Sequence, residues 1–403
     1  MDYSFSPLNS WKLADKHMDI LSYLMDLGSL RLPSSAFEAS QLADCAATSF
    51  MLITWVPEQE IWSLRNHKVH NRVFICIIFI PRIHCISTKS NVIGIGISCS
   101  QLQGTIHFNS SLFSLQHLKR LNLSYNDFSG SKLSPKVCPL KVLGSYPRLL
   151  PNLTQITSSD LSHNNFGSQI PWSFLKLGQL SFLDLSFNSF TCQLLDVSTN
   201  LAELSSSNSQ PVSHTSLKLE FLALSYNLLN GTIPSWLYST PRLQHLYLDN
   251  NLFTRHIDEF QYNLVRYLDL SNNNLVGPLP MAIYKLVSLY HIYVSFNHLS
   301  GTMESKMFSK LKILETVDLS HNPLLSLSTF NNFSYTLPKL YELYLSSCKI
   351  NEFPFFLTNL ENLEWLDLSH NQIKGNTQTW LLDVAKDSLR YLNLSNNFLI
   401  NID

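Results

Sequence analysis

Charged residues and long apolar runs are both scarce in this sequence of 403 residues. Charged residues make up 14% of the chain, and 28 basic residues balance 29 acidic ones. Because no basic surface stands out, we do not expect nucleic-acid binding through phosphate neutralisation. The longest apolar run is Val73–Ile80, much shorter than the ~20 residues of a membrane-spanning helix. We therefore predict no membrane segment in this chain, and residues 1–30 lack the order of a signal peptide.

Catalytic and metal-binding motifs are missing as well. The seven cysteines contain no CxxC pair, which argues against a zinc scaffold and against a disulfide-dense miniprotein. No phosphate loop, kinase motif set or nucleophile elbow occurs. The histidines are scattered, and His163, His321 and His370, which share one repeat position, are interpreted as surface residues. The sequence therefore predicts a non-enzymatic protein with no cofactor and no metal.

Leucine is abundant, at 72 of 403 residues, and its spacing is regular. Leu118–Gly130, Leu219–Gly231 and Leu363–Gly375 all fit the pattern LxxLxLxxNxLxG. We take the second residue of each LxL pair as an anchor, and nine of the eleven gaps between anchors are 22–26 residues long. The anchors are Ile97, Leu123, Leu161, Leu185, Leu224, Leu248, Leu270, Val294, Leu319, Leu345, Leu368 and Leu394.

Two longer gaps, of 38 and 39 residues, interrupt this spacing at 131–157 and 191–217. Each is either a loop that leaves the repeat array or a degenerate repeat, and we favour degenerate repeats in a loop conformation. Residues 91–403 are thus predicted to form one domain of about twelve recognisable repeats. Residues 1–90 stay unassigned, as either disordered chain or a degenerate N-terminal cap.

The repeat unit predicts its own fold. LxL is a short strand whose leucines enter the core while the residues between them face solvent. Strands of successive repeats pair in parallel, so we predict an α/β solenoid, curved like a horseshoe or superhelix, with a parallel sheet on its concave face. Prolines 171, 234 and 280 favour an extended or single-turn convex side.

An asparagine follows most anchors by three residues. It must hydrogen-bond backbone groups where the chain leaves the strand, because unpaired buried backbone groups are costly. Ser100 and Cys348 fill this position in the other two repeats. The predicted structural asparagine ladder is Asn126, Asn164, Asn188, Asn227, Asn251, Asn273, Asn297, Asn322, Asn371 and Asn397.

The solvent-facing strand positions of the later repeats alternate tyrosine with aspartate. Aromatic, mildly acidic surfaces of this kind serve as anchors in protein interfaces. An alternative is that the aspartates are structural and pair with neighbouring serine and backbone groups, which makes the tyrosines the better candidates. The candidate ligand-binding residues are Tyr247, Tyr293, Tyr344, Asp269, Asp318, Asp367, His245, Tyr267, His291 and Trp365.

The repeats resemble a known family in their sequence pattern LSxNxLxGxIP. Residues 92–104 (VIGIGISCSQLQG) and 109–135 (NSSLFSLQHLKRLNLSYNDFSGSKLSP) are similar to the first repeats of plant leucine-rich-repeat receptor-like proteins of the leaf-mould-resistance type. That resemblance implies a ligand-binding ectodomain at the plasma membrane that senses pathogen proteins and signals through partner receptor kinases. Compared with members of this family, the chain is expected to be truncated at its C-terminus and aberrant at its N-terminus.

Export would add two kinds of modification. If the chain is exported, Cys85 and Cys99 are candidates for a cap disulfide, since Cys85 lies where the family's last cap cysteine falls. Six sequons occur, and two of them, Asn122 and Asn393, are crowded within strands. The accessible glycosylation candidates are Asn109, Asn152, Asn230 and Asn332.

The sequence thus favours a non-catalytic recognition module with a protein or peptide ligand and a receptor-kinase co-receptor. Two alternatives remain open. One is a secreted repeat protein that inhibits the wall-degrading enzymes of pathogens. The other is a non-functional truncated paralogue.

Overall fold

A computed structural model describes nine stretches of the chain. They are residues 82–85, 92–106, 115–131, 153–171, 177–194, 218–328, 339–354, 360–375 and 387–400, together with the single positions 112, 174, 337, 356 and 357. The predicted loop or degenerate segments 131–157 and 191–217, and nearly all of residues 1–90, lie largely outside these stretches. The division into 1–90 and 91–403 therefore stays a prediction.

Thirteen of the described strands form one sheet, here called the main sheet. Its twelve parallel strands each end one residue before a predicted anchor. The strands are β1 Arg82–Cys85, β2 Val92–Gly96, β3 Arg120–Asn122, β4 Ser158–Asp160, β6 Phe182–Asp184, β8 Phe221–Ala223, β10 His245–Tyr247, β12 Tyr267–Asp269, β14 His291–Tyr293, β16 Thr316–Asp318, β18 Glu342–Tyr344, β19 Trp365–Asp367 and β21 Tyr391–Asn393. The predicted parallel sheet of the solenoid is confirmed.

The first strand, β1, differs from the others because it pairs antiparallel with β2. It covers the edge that β2 would otherwise leave open, and an open edge exposes unpaired backbone groups. The last part of the segment before residue 91 thus enters the main sheet in the described structure.

A second parallel sheet, which the sequence did not predict, follows the ladder position of each repeat. It contains seven strands in the order β17-β15-β13-β11-β9-β7-β5. They are β5 Gly167–Ser168, β7 Ser189–Gln193, β9 Leu228–Thr232, β11 Leu252–Arg255, β13 Asn274–Gly277, β15 His298–Glu304 and β17 Leu324–Ser328. Two shorter strands, β20 Lys374–Gly375 and β22 Phe398–Leu399, pair with each other.

Helices in the described repeats are short, and two of the three begin after a proline. Pro234 precedes the α-helix α1, Ser235–Tyr238, and Pro280 precedes the 3-10 helix Met281–Lys285. The third is the 3-10 helix Ser305–Lys310. Proline fixes φ near −65° and lacks an N–H, so it suits the start of a single turn. The predicted single-turn convex side is confirmed at these prolines.

The core is one continuous apolar column between the two sheets. Most LxL positions contribute two buried aliphatic residues, as Leu246 and Leu248 show with 0% exposure. In β4, Ser159 takes the first of the two positions. The residue two positions after most ladder asparagines adds a third buried column, in which Phe128, Phe166 and Phe190 stack at 5.8 and 6.4 Å between ring centroids. After Asn322 the buried residue is instead Leu325, three positions on. Each repeat therefore buries its apolar face only against its neighbours, as a solenoid requires.

The expected disulfide between Cys85 and Cys99 is not formed, because Cys99 carries a thiol. The antiparallel register explains why. Cys85 pairs with Val92 at one end of β2, whereas Cys99 follows the other end. The five residues of β2 alone span ~13 Å at ~3.3 Å per residue, while disulfides need Cα atoms ~4.4–6.8 Å apart. Cys192, for which the sequence offered no partner, is disulfide-bonded.

No helix in the stretches that the structure describes is long and apolar enough to cross a membrane.

Candidate functional site

The predicted solvent-facing residues lie in two rows across one surface of the main sheet. Parallel pairing places the middle residues of successive LxL strands side by side in register. The first row is Tyr247, Asp269, Tyr293, Asp318, Tyr344, Asp367 and Asn393. The second row, two positions earlier in each strand, is His245, Tyr267, His291, Thr316, Glu342, Trp365 and Tyr391. We call the surface that carries both rows the main-sheet face.

Residues of this face are exposed to different degrees, because neighbouring side chains cover some of them more than others. Tyr247, Tyr293 and Tyr344 are half-buried, and the leucine or isoleucine before each of them is fully buried. Trp365 is exposed. Asp318, which we expected to face solvent, is buried between Tyr293 and Tyr344 with 7% exposure. Asp318 is therefore less accessible than the tyrosines beside it, whereas Asp269 and Asp367 are half-buried as those tyrosines are.

Aromatic side chains touch one another across five strands of the face. We define Phe182, Phe221, Tyr247, Tyr267 and Tyr293 as the aromatic patch. Taken in that order, each ring contacts the next. The ring centroids are 4.3 Å apart from Phe182 to Phe221, 5.4 Å from Phe221 to Tyr247, 4.6 Å from Tyr247 to Tyr267 and 5.5 Å from Tyr267 to Tyr293. Offset and tilted ring contacts at these distances are attractive, so the patch is a preorganised apolar surface.

Burial makes the phenols of this face harder to ionise than ordinary tyrosines. It is the largest cause that raises the pKa of Tyr267, Tyr293 and Tyr344 above the ordinary tyrosine value, and nearby carboxylates raise it further. The three hydroxyl groups therefore remain hydrogen-bond donors at any physiological pH. A ligand would meet ring surface and phenolic O–H groups here, without phenolate charge.

The aspartates of the face are tied to the serines that follow them. Asp269 Oδ1 accepts hydrogen bonds from the Ser271 amide at 3.0 Å and from its hydroxyl at 2.6 Å. Asp318 and Asp367 accept from the amide of the serine two residues later in the same way. This is the local turn that aspartate and asparagine side chains form with their own backbone. The geometry favours the structural alternative for the aspartates.

Asp269 also bears an electrostatic cost. Burial, followed by the nearby Asp249 and Asp318 carboxylates, raises the pKa of Asp269 above its ordinary value, although its bonds to Ser271 partly offset that rise. A free negative charge is therefore disfavoured at this position. The patch around Asp269 is less acidic than its composition suggests.

Two histidines flank Tyr267 in the second row. Burial lowers the pKa of His245, with Arg266 as the second cause, and burial and His245 lower the pKa of His291 to about 4. The His291 ring is thus neutral at pH 6–7, and burial disfavours the protonated form of His245 as well. The Nδ1 atom of His291 is buried and has no hydrogen-bond partner among the described residues, while its Nε2 lies 3.9 Å from Glu315.

Acidic side chains concentrate at the other end of the face. We define Glu315, Glu342, Glu364 and Asp367 as the acidic patch. It lies beside Tyr344, and beside Trp365 and Tyr391, whose rings stack at 4.9 Å. Arg390 is 3.4 Å from Glu364, and both side chains are more than a third exposed. An exposed ion pair of this kind contributes little to stability.

Below the face, each ladder asparagine donates three hydrogen bonds. Its Nδ2 reaches the anchor carbonyl of the preceding repeat at 2.8–3.0 Å. It also reaches its own anchor and the residue after that anchor, as Asn273 shows with Leu270 and Ser271. At the same position Cys348 donates from its thiol to Leu319 O at 3.4 Å. The ladder holds successive strands in register and therefore aligns the face.

A row of left-handed residues, which sequence reasoning missed, precedes the ladder. The residue before each ladder position has φ between 51° and 56° in all twelve repeats. Some of these side chains stack, with ring centroids 4.0 Å apart from Tyr125 to His163, 4.0 Å from His163 to Phe187 and 4.2 Å from Phe187 to Tyr226. The signal was present, because asparagine, which tolerates this conformation, occupies three of the twelve positions.

The glycosylation candidates are only partly within the described residues. Asn230 is exposed in β9 of the second sheet, away from the main-sheet face. Asn109, Asn152 and Asn332 lie outside the described residues. Asn122 and Asn393 accept from Ser124 and Ser395 through Oδ1 as the aspartates do. Their Nδ2 atoms, where a glycan would attach, donate to Asp160 and Asp367 on the neighbouring strands, so a glycan would disturb those bonds.

Comparison with known proteins places these repeats. The family described as Leucine Rich Repeat matches residues 117–138, 218–239, 264–286 and 362–383. "Receptor-like protein Cf-9 homolog" of Solanum lycopersicum is 34% identical over 173 residues, which cover 42% of this chain and 20% of that protein. "Receptor-like protein 41" of Arabidopsis thaliana is 31% identical over 360 residues, which cover 71% of this chain and 40% of that protein. The chain thus carries leucine-rich repeats and is similar to plant leucine-rich-repeat receptor-like proteins.

The chain spans 40% or less of the length of both relatives. Among solved structures, the plant peptide hormone receptor RGFR1 in complex with RGF2 is similar, with a TM-score of 0.57 and 27% identity over 72% of this chain and 41% of that chain. The predicted leucine-rich-repeat solenoid is confirmed by this likeness and by the parallel main sheet.

Proposed function

We propose that the chain is the non-catalytic, ligand-recognition part of a plant cell-surface receptor. The observation that carries this proposal is the register of the main sheet, which brings Tyr247, Tyr293 and Tyr344 onto one surface at every second strand. Half-buried tyrosines offer large contact areas with little side-chain entropy to lose, which is why they recur as interface anchors. The similar receptor RGFR1, whose structure includes RGF2, supports a peptide or protein ligand.

Location at the outer face of the plasma membrane follows from the same proposal. The disulfide at Cys192 supports an oxidising compartment, since disulfides are rare in the cytosol. Asn230 offers an exposed sequon on the second sheet, where a glycan would leave the main-sheet face clear. We assign the resulting signal to defence against pathogens, through a partner receptor kinase, on the resemblance to the leaf-mould-resistance receptors.

Binding is tested with a displayed library of random dodecapeptides and the chain secreted from a eukaryotic host. The triple variant Tyr247→Ala, Tyr293→Ala and Tyr344→Ala should bind the selected peptides at least tenfold more weakly, because it removes two rings of the aromatic patch and the Tyr344 ring beside the acidic patch. A control triple variant, Tyr226→Ala, Tyr262→Ala and Phe296→Ala, removes exposed aromatic side chains outside the main-sheet strands. Equal affinities of the two variants, with equal melting temperatures, would contradict the proposal.

The defence role needs a separate experiment. Apoplastic fluid from infected and from healthy leaves is passed over the immobilised chain and over the tyrosine triple variant. We expect a component of infected fluid that the native chain retains and the variant does not. Identical retention from healthy fluid would contradict pathogen perception and leave ligand recognition in place.

A further inference from the structure

The main-sheet face is electrically divided along its length. The residue before each strand and the two face residues of each strand are largely uncharged in the aromatic half, β8 to β14. There the charged residues are two acids, Glu220 and Asp269, and one base, Arg266. From β16 to β21 the same positions hold five acids, namely Glu315, Asp318, Glu342, Glu364 and Asp367, and one base, Arg390.

Counted formally, the acidic half of the described face keeps a net negative charge, although Lys339 lies near enough to Glu315 to offset part of the rise that burial causes in the pKa of Glu315. Arg390 contacts Glu364 at 3.4 Å, but its side chain is 73% exposed, so solvent screens the pair strongly. Glu342 receives a hydrogen bond from the Thr316 hydroxyl at 3.2 Å, which leaves its charge in place. Glu315 lies 3.9 Å from His291. Because that imidazole is neutral near pH 6–7, it does not cancel the carboxylate charge.

Aromatic rings surround these carboxylates. Tyr344 shares β18 with Glu342 and pairs across the sheet with Asp318 and Asp367. Trp365 pairs with Glu342 and stacks on Tyr391, and each of the two rings is 39% exposed. A ring face next to a carboxylate attracts an ammonium or a guanidinium both through its quadrupole and through the opposite charge.

We propose that the ligand of the main-sheet face is an extended peptide segment with a lysine or arginine that binds over the acidic patch. An apolar side chain of the same segment then lies on the aromatic patch. This inference rests on the proposed function and narrows the ligand class to peptides with a basic residue.

The sheet also sets the spacing within that segment. Tyr247 on β10 and Tyr344 on β18 are four strands apart, so ~19 Å separate them at ~4.8 Å per strand. An extended chain advances ~3.3 Å per residue. The apolar and the basic side chain should therefore be about six residues apart in the peptide.

The test is the composition of the peptides that the dodecapeptide library yields, compared with the unselected library. We expect enrichment of lysine or arginine about six residues from an aromatic or aliphatic residue. Replacing that arginine by citrulline in a synthetic selected peptide should weaken binding at least tenfold, because citrulline keeps the shape and loses the charge. Affinity should also fall as salt is added.

Variants of the chain provide the matching evidence. The double variant Glu315→Gln and Glu342→Gln should lose at least tenfold in affinity for the arginine peptide and little for the citrulline peptide. The double variant Glu352→Gln and Glu361→Gln removes the same charge from exposed positions outside the main-sheet strands and should bind like the native chain. Equal losses in the two double variants would overturn the inference.

Failure of the inference is distinguishable from failure of the proposed function. Selected peptides that need Tyr247, Tyr293 and Tyr344 but show no excess of basic residues would overturn the basic ligand and leave the recognition face intact. If no peptide depends on the tyrosines, the assignment of the main-sheet face as the recognition surface is wrong, and the proposal of a basic ligand is wrong as well.

Discussion

At the scale of single residues, the ladder asparagine does the most to fix the position of the main-sheet face. Asn273 donates to the carbonyls of Leu248, Leu270 and Ser271 and accepts from the Phe253 amide. These backbone groups are buried, and nothing else in the turn can satisfy all of them. The side chain therefore links two successive strands at the point where both leave the sheet.

Asn273→Ala should lower the free energy of unfolding by about 2–4 kcal/mol, since it leaves several buried polar groups without partners. Asn274→Ala, one residue later in an exposed position of β13, is the matched control and should cost under about 1 kcal/mol. Urea unfolding followed by circular dichroism measures both. Similar losses for the two variants would mean that the ladder contributes little.

Asp269 supports a second prediction, in which pH is the variable. Its pKa is raised in the folded state, so the folded chain binds the Asp269 proton more tightly than the unfolded chain does. The stability that this proton confers is present below the unfolded pKa of about 3.9 and is lost as pH rises through the folded value. Asp269→Asn removes that loss and keeps the turn, because Asn122 and Asn393 make the same bonds to Ser124 and Ser395.

The Asp269→Asn variant should therefore match the native chain near pH 4 and be more stable by about 1–3 kcal/mol near pH 8. Denaturant midpoints at pH 4, 6 and 8 measure the difference. A difference that stays constant across this range would show that the Asp269 carboxylate is not buried at an electrostatic cost.

At the scale of elements, the second sheet is the feature that the sequence did not reveal. Its strands are two to seven residues long and alternate too briefly to show a period of two. The consensus glycine was the available sign, because Gly231, Gly277, Gly301 and Gly375 have φ between 77° and 92°. A left-handed residue in a strand marks a bend or bulge, here between the strand and the returning chain.

Gly277 and Gly375 separate the two reasons for glycine at this position. Alanine at either position would have to adopt the left-handed φ, which lowers the stability of the folded chain by about 1–2 kcal/mol. At Gly277 the added Cβ would also lie 2.1 Å from Nδ1 of the His256 ring, whereas at Gly375 it meets nothing within 4 Å. Gly277→Ala should thus destabilise the chain more than Gly375→Ala by about 1 kcal/mol or more, as thermal melting can measure. The reverse order would contradict the second-sheet geometry.

At the scale of the whole molecule, the period of the leucines was enough to predict the solenoid and the parallel main sheet. The same period placed Tyr247, Tyr293 and Tyr344 in one row, because every repeat contributes one strand in the same register. Three features were beyond its reach. The burial of Asp318 depends on the size of its neighbours on adjacent strands. The left-handed row depends on backbone geometry, and the disulfide at Cys192 depends on contacts distant in sequence.

The most direct test of the account is to ask which side chains touch a bound ligand. Benzoylphenylalanine, a photo-crosslinking residue, replaces Tyr247, Tyr293 or Tyr344 one at a time, and Tyr226 or Phe296 on the left-handed row as controls. We predict crosslinks to a selected peptide from the first three positions and none from the two controls. Crosslinks from Tyr226 or Phe296, with none from the main-sheet positions, would contradict the assignment of the main-sheet face as the recognition surface.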